Sequence, residues 1–260
     1  MTPGDDLELL RRDIAIRYVI SGSGRIERGP FRPSGPRQES VPPERSGGPR
    51  LHFAGCADGA LAHLRHDVDD EIAARVLSFT ETAPPWSDPD TPPAGLDAIL
   101  ALLSRGTASS VDGPEIVFRL PNGLACDHGA RLVACDTAAG EALLARLARG
   151  GVPPSLLEAG FLELGDFWWP WCVALDGDDI AAMAFAANLG QSGAEIGVFT
   201  FPGFRGRGFA AAATAGWASL ESLEGRELIY STRLTNASSR RVADRLGLRP
   251  AGARVRVTDA

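Results

Sequence analysis

Apolar and polar residues alternate along this chain in two periods, and the period changes mark its elements. Helical spacing places Ile72, Val76 and Leu77 on one face of residues 69–80 ahead of Pro84-Pro85, and the pattern returns in residues 96–103 after Pro92-Pro93. Both stretches predict amphipathic helices. Residues 115–120 and 124–128 alternate and flank Pro121-Asn122-Gly123, whose Asn-Gly tolerates positive φ, so a hairpin is predicted there with 131–135 as a third strand. Residues 141–149 and 153–159 return to helix. Strands are then predicted at 171–175 and 180–187, joined as an antiparallel hairpin by Asp176-Gly177-Asp178-Asp179, and at 195–201. An alanine-rich helix over 209–223, a strand at 228–232, a helix over 237–246 and a strand at 254–258 follow. In that last strand Val255 and Val257 alternate with Arg254 and Arg256.

These elements divide the chain into four expected parts. Residues 1–20 form an N-terminal segment whose apolar cluster is broken by Arg17 and Tyr18. No stretch reaches the roughly 18 uninterrupted apolar residues of a membrane span, so a cytoplasmic protein with no membrane partner is expected. Residues 21–50 are crowded with Gly, Pro, Ser and Arg without an apolar period and are expected to be a flexible linker; a small anion-binding tail is the alternative. Residues 51–160 form an α+β module, and 161–260 form the module that carries the chemistry.

Composition excludes some functions. The formal net charge of -7 argues against a nucleic-acid partner, which needs a clustered excess of Lys and Arg. Cys56, Cys126, Cys135 and Cys172 form no C-x-x-C pair, and His52, His63, His66 and His128 have no zinc-ligand spacing. Free thiols and no metal are expected.

The informative stretch is Val198-Phe-Thr-Phe-Pro-Gly-Phe-Arg-Gly-Arg-Gly-Phe-Ala210: a strand, a proline stop, a glycine-rich loop and a helix start. Gly206 and Gly208 let backbone approach a ligand, the first-turn N–H groups are unpaired, and Arg205 and Arg207 add charge, so a diphosphate fits there. Gly206-Arg-Gly208-Phe-Ala-Ala211 also matches a dinucleotide fingerprint, but the next strand lacks that motif's terminal acid.

Two blocks in the expected order give a specific resemblance. Pro202, Arg205, Gly206, Gly208 and Ala210 resemble the acetyl-CoA loop of the GNAT acetyltransferase superfamily, and Asn236 to Leu248 resembles its Asn-headed helix ending in Leu-Gly-aromatic. The resemblance covers about residues 165–258. It implies an α/β fold with a mixed, mostly antiparallel sheet flanked by helices, and an N-acetyltransferase, monomeric or homodimeric, that passes acetyl from acetyl-CoA to an amine by direct attack. The cofactor-binding positions it implies are Val198, Phe199, Thr200, Arg205, Gly206, Arg207, Gly208, Phe209, Ala210 and Asn236, with pantetheine entering beside strand 195–201. Glu195 matches the position of a glutamate base; a strand-end carboxylate in solvent or a salt bridge fits it equally. The family's acid tyrosine is here Ala243, so either the thiolate leaves unassisted, or a hydroxyl such as Ser239, Ser231 or Tyr230 serves, or the protein is a non-catalytic acyl-CoA sensor. The aromatic run 167–171 and Cys172 read first as core, and Asp166 as a surface carboxylate with acceptor binding as its alternative.

Overall fold

The computed structural model describes residues 5–29, 47–86, 88–105, 108–158, 161, 163, 165 and 167–260. Its centre is a nine-stranded sheet in the order β4-β3-β11-β5-β10-β9-β8-β7-β6. The strands are β3 (Leu51–Cys56), β4 (Gly59–Leu64), β5 (Ser109–Leu120), β6 (Arg131–Ala134), β7 (Trp171–Asp176), β8 (Asp179–Leu189), β9 (Gly193–Thr200), β10 (Glu227–Arg233) and β11 (Arg249–Asp259). Every neighbouring pair is antiparallel except β9 and β10. The helices are α1 (Asp5–Arg17), α2 (Asp70–Thr82), α3 (Leu96–Leu103), α4 (Ala138–Gly150), α5 (Pro154–Glu158), α6 (Phe209–Trp217) and α7 (Ala237–Arg245). A two-stranded ribbon of β1 (Val19–Ile20) and β2 (Ile26–Arg28) completes the fold. The fold class expected from the sequence is the one observed. Among the described residues no helix is long and apolar enough to cross a membrane.

Strand alternation sorts the core onto two faces. Phe118, Cys172, Ala174, Ala182, Ala184, Ala186, Leu228 and Tyr230 turn toward α6 and α7. Their neighbours Val117 and Ile229 turn toward α1, packing on Leu9, Leu10 and Ile16. Val173, Met183 and Phe185 face α4 and α5 in the same way. The α6 face is built from alanine on both sides, Ala211, Ala212, Ala213 and Ala215 against the sheet alanines, so helix and sheet approach closely. A Cβ added at Gly216 would lie 2.6 Å from Cys172 Sγ. Burial there pushes the Cys172 thiol up to about 12, as suits a small core residue.

Several expectations are corrected. The hairpin across Pro121-Asn122-Gly123 does not form, because both edges of β5 are already paired, to β10 and to β11. Gly123 does take the positive φ (66°), and its N–H bonds to Ala218 O, leading residues 124–130 over α6 as irregular chain. The boundary at 160/161 separates no sheet: β3, β4, β5 and β6, from the expected first module, lie on either side of strands from the second. Residues 30–46 of the expected linker lie outside the described residues, whereas Ile26, in β2, is fully buried. In the N-terminal segment α1 forms, with acidic residues Asp5, Asp6 and Glu8 in its first turn and Arg17 in its last, the order a helix dipole favours.

Candidate active site

Strands β9 and β10 pair in parallel over three positions only, Glu227 with Gly193, Leu228 with Ala194 and Ile229 with Glu195. Beyond that point β9 runs on to Thr200 and β10 to Arg233 without pairing to each other, while β9 stays paired to β8 as far as Thr200 opposite Ala182 and β10 to β5 as far as Arg233 opposite Glu115. The two strands part, and the β9 edge carrying Val198, Phe199 and Thr200 is open. An open edge offers alternate backbone N–H and C=O groups to a ligand that lies along it.

The glycine loop follows at once. Gly208 is the N-cap of α6 at φ 94°, with no side chain capping the helix, so the first-turn N–H groups of α6 face outward. Phe209 is buried against the sheet, and Ala210 is half-buried beside it. The three arginines near this loop differ in availability. Arg205 is exposed and bonds only weakly back to Thr200 O, at 3.4 Å. Arg207 is turned away: its guanidinium pairs with Asp176 at 2.7 Å and lies over the Phe209 and Phe204 rings. Its carbonyl accepts from His128 Nε2 at 2.9 Å, while His128 Nδ1 accepts from the Ala130 N–H, which fixes the ring as the Nε2–H tautomer. Arg245, from the last turn of α7, covers the loop. A Cβ built on Gly208 would lie 2.5 Å from Arg245 Nη1 and 2.9 Å from the His128 ring. The resemblance had not singled out Arg245; its signal was a basic residue nine places after Asn236.

Asn236 caps α7, its Oδ1 accepting the Ser239 N–H at 3.1 Å. The Ser239 hydroxyl lies 2.5 Å from the Tyr230 hydroxyl, which is also 3.2 Å from Ser239 O. Ala243, one turn after Ser239 on the same face of α7, is fully buried. Tyr230 thus carries a hydroxyl from β10 to the turn of α7 that precedes Ala243. Burial raises the Tyr230 pKa, and its bond to Ser239 offsets part of that rise.

Glu195 lies on the opposite, α1-facing side of β9 and is buried. Its Oε1 accepts from Arg17, from Arg254 Nη2 at 3.0 Å and from the Ser231 hydroxyl, and its Oε2 accepts from Asn188. Burial pushes this carboxyl up, but Arg17 and Arg254 beside it prevail and hold it below the usual carboxylate range. The chain of charges continues. Asp13 bonds both Arg17, at 3.0 Å, and Arg254; Arg254 reaches Glu115 at 2.7 Å; and Arg256 joins Glu115 at 3.0 Å to Asp112 at 2.6 Å. Both oxygens of Glu195 are therefore committed to a network of ion pairs, an arrangement that local sequence could not reveal.

Of the aromatic run, Phe167 and Trp171 pack with Phe161 and Phe201 in the core, while Trp169 is half exposed. Asp166 lies outside the described residues. A cavity of about 650 Å³ lies behind α6, lined by Leu124, Cys126, Leu132, Cys172 and Gly216 among others; it includes none of the residues along the parting strands.

No protein-family model and no curated protein matches the sequence. Solved structures do. A GCN5-related N-acetyltransferase-like protein from Streptococcus suis is 13% identical with TM-score 0.45, each chain covered in full. A GNAT-family acetyltransferase from Colwellia psychrerythraea is 14% identical with TM-score 0.43, over all of this chain and 98% of its own. A GCN5-related N-acetyltransferase from Kribbella flavida is 16% identical with TM-score 0.42, over 64% of each chain.

Proposed function

We propose that the protein is a GNAT-type N-acetyltransferase that uses acetyl-CoA to acetylate a primary amine. The observation that carries this reading is the parting of β9 from β10 after Glu195 and Ile229, directly ahead of a glycine loop and an uncapped helix start. A pantetheine arm fits an open strand edge, and a diphosphate fits outward N–H groups beside the exposed Arg205 and Arg245.

When bound, the donor supplies an acetyl group activated as a thioester. The open edge at 198–200 lines up the arm, and a backbone N–H there polarises the acetyl carbonyl without reorganisation. Gly206, Gly208 and the amides of Phe209 and Ala210 hold the diphosphate together with Arg205 and Arg245. Arg207, held by Asp176, fixes the loop to the β7–β8 turn. Asn236 orders the first turn of α7, which places the Ser239 hydroxyl. The Ser239–Tyr230 pair protonates the leaving sulfur in place of the tyrosine that Ala243 replaces. Glu195 anchors the strands at the point where they part.

Thermal unfolding with acetyl-CoA, NAD and ATP tests the donor. Acetyl-CoA alone stabilises the protein, by about 2.7 kcal/mol at 100 times its Kd. Amine-dependent release of CoA thiol tests catalysis. Ala243 also favours a second reading, a non-catalytic acyl-CoA sensor: saturable acetyl-CoA binding with no amine-dependent thiol release selects it.

A further inference from the structure

We infer that the acceptor is a weakly basic amine that reaches the site already neutral, such as the α-amino group of a peptide, and not an alkylammonium such as a lysine side chain. The inference rests on the enzymatic reading above and concerns the proton the reaction must manage.

The amine nitrogen attacks the acetyl carbonyl carbon, the C–N bond forms, the C–S bond breaks, and the thiolate leaves. A neutral amine then gives up one N–H proton and the sulfur gains one, so the Ser239–Tyr230 pair balances the reaction by handing a proton onward. An alkylammonium carries one proton more, and a group on the protein must accept it near neutral pH. Among the described residues Glu195 is the carboxylate at the parting of the strands, and every element around it is committed against that task. Arg17 and Asp13 face it from α1, Asn188 from β8, Ser231 from β10 and Arg254 from β11, with Glu115 of β5 behind Arg254. Its four protein donors leave neither oxygen free for a substrate proton. Two buried guanidinium groups beside it also disfavour a second cation. Among the described histidines, His52 is fully buried against Tyr18, His63 and His66 lie on and beside β4, and His128 binds the loop on the other face of the sheet. None borders the β9–β10 opening.

Amine basicity then sets the rate. At pH 7 an α-amino group of pKa about 7.7–8.0 is neutral in on the order of one molecule in ten, whereas an ε-amino group of pKa about 10.4 is neutral in on the order of one in a few thousand. The higher nucleophilicity of the more basic amine offsets part of this, leaving an advantage of about tenfold or more.

The test uses the full-length protein and two forms of one lysyl peptide, one with the ε-amine blocked and one with the α-amine blocked. Acetyl-CoA binding is confirmed by calorimetry, and kcat/KM is then measured from pH 6 to 9.5. The α-amine is expected to react at least about tenfold faster at pH 7, its rate rising with its own ionisation and levelling near pH 8, while the ε-amine rate climbs tenfold per unit across the range. Faster reaction of the ε-amine at pH 7, or an ε-amine profile that levels near pH 7, reveals a base on the protein and overturns the inference while leaving the acetyltransferase reading intact. Running Asp166→Asn beside the wild type assigns such a base: loss of the plateau places it at Asp166. Failure to bind acetyl-CoA overturns both readings.

Discussion

Gly208 answers to two constraints at once: its φ of 94° suits a residue without Cβ, and the Arg245 guanidinium and the His128 ring occupy the space into which a side chain would grow. Gly208→Ala is therefore expected to cost about 1–2 kcal/mol in thermal unfolding, from the left-handed backbone alone. Gly208→Trp, which fills the anion site, abolishes acetyl-CoA binding by calorimetry. Arg245→Ala is expected to raise the acetyl-CoA Kd about 10- to 100-fold without lowering Tm, since charge-assisted hydrogen bonds contribute about 1.5–3 kcal/mol and Arg245 is exposed. Ser239→Ala is expected to lower kcat about 100-fold at unchanged donor affinity, in stopped-assay thiol release against calorimetry. The glycines were legible in the sequence because positive φ and close approach are local demands. The setting of Glu195 was not, since its partners Arg17 and Arg254 stand 178 and 59 positions away along the chain.

The elements from β7 onward follow their sequence pattern in kind and order because each repeats one period, although α6 stops at Trp217 where a helix to 223 was expected and β11 starts at Arg249 where a strand from 254 was expected. Two kinds of element escaped it. Arg17 and Tyr18, which break the apolar cluster in sequence, are both buried, and α1 hides Asp13 beside Arg17, so these residues are part of its packing. The hairpin of β3 and β4 turns at Ala57-Asp58, a short signal after a strand, β3, that is buried throughout. The hairpin wrongly expected at Asn122-Gly123 shows the converse: a correct turn residue does not decide which strands pair when a strand from the far end of the chain, β11, takes the edge. Arg254 is the residue that ties these distant elements together, bonding α1 through Asp13, β5 through Glu115 and β9 through Glu195. Arg254→Met leaves those carboxylates without their shared cation and is expected to cost about 3–5 kcal/mol, read from the midpoint and slope of urea unfolding. A cost under 1 kcal/mol would show that the network contributes little to holding α1 on the sheet.

Across the whole molecule, the buried charges make stability a function of pH in two stages. His52 is fully buried, and desolvation first, then Arg254 and Arg17, keep its pKa well below the ordinary 6.5. The unfolded chain therefore binds a proton there that the folded chain refuses, and stability falls as pH drops below about 6.5, by about 1.4 kcal/mol per pH unit. The carboxylates act lower. Burial raises Asp13, Glu115 and Glu195, but their guanidinium partners prevail, holding all three below the usual range and Glu115 at about 2. Their contribution is complete above about pH 4.5 and is lost as pH falls through the folded values, Glu115 alone accounting for about 3 kcal/mol between pH 4.5 and 2. Urea unfolding from pH 8 to 3 is thus expected to give a level stretch above 6.5, a one-proton slope below it and a steeper slope below 4.5. His52→Phe removes the ionisable ring, so it should flatten the first slope and leave the second. A variant that keeps the first slope would assign that proton to another group, whereas a wild type level down to pH 4.5 would mean that His52 accepts its proton in the folded state, with water reaching the ring between α1 and the sheet.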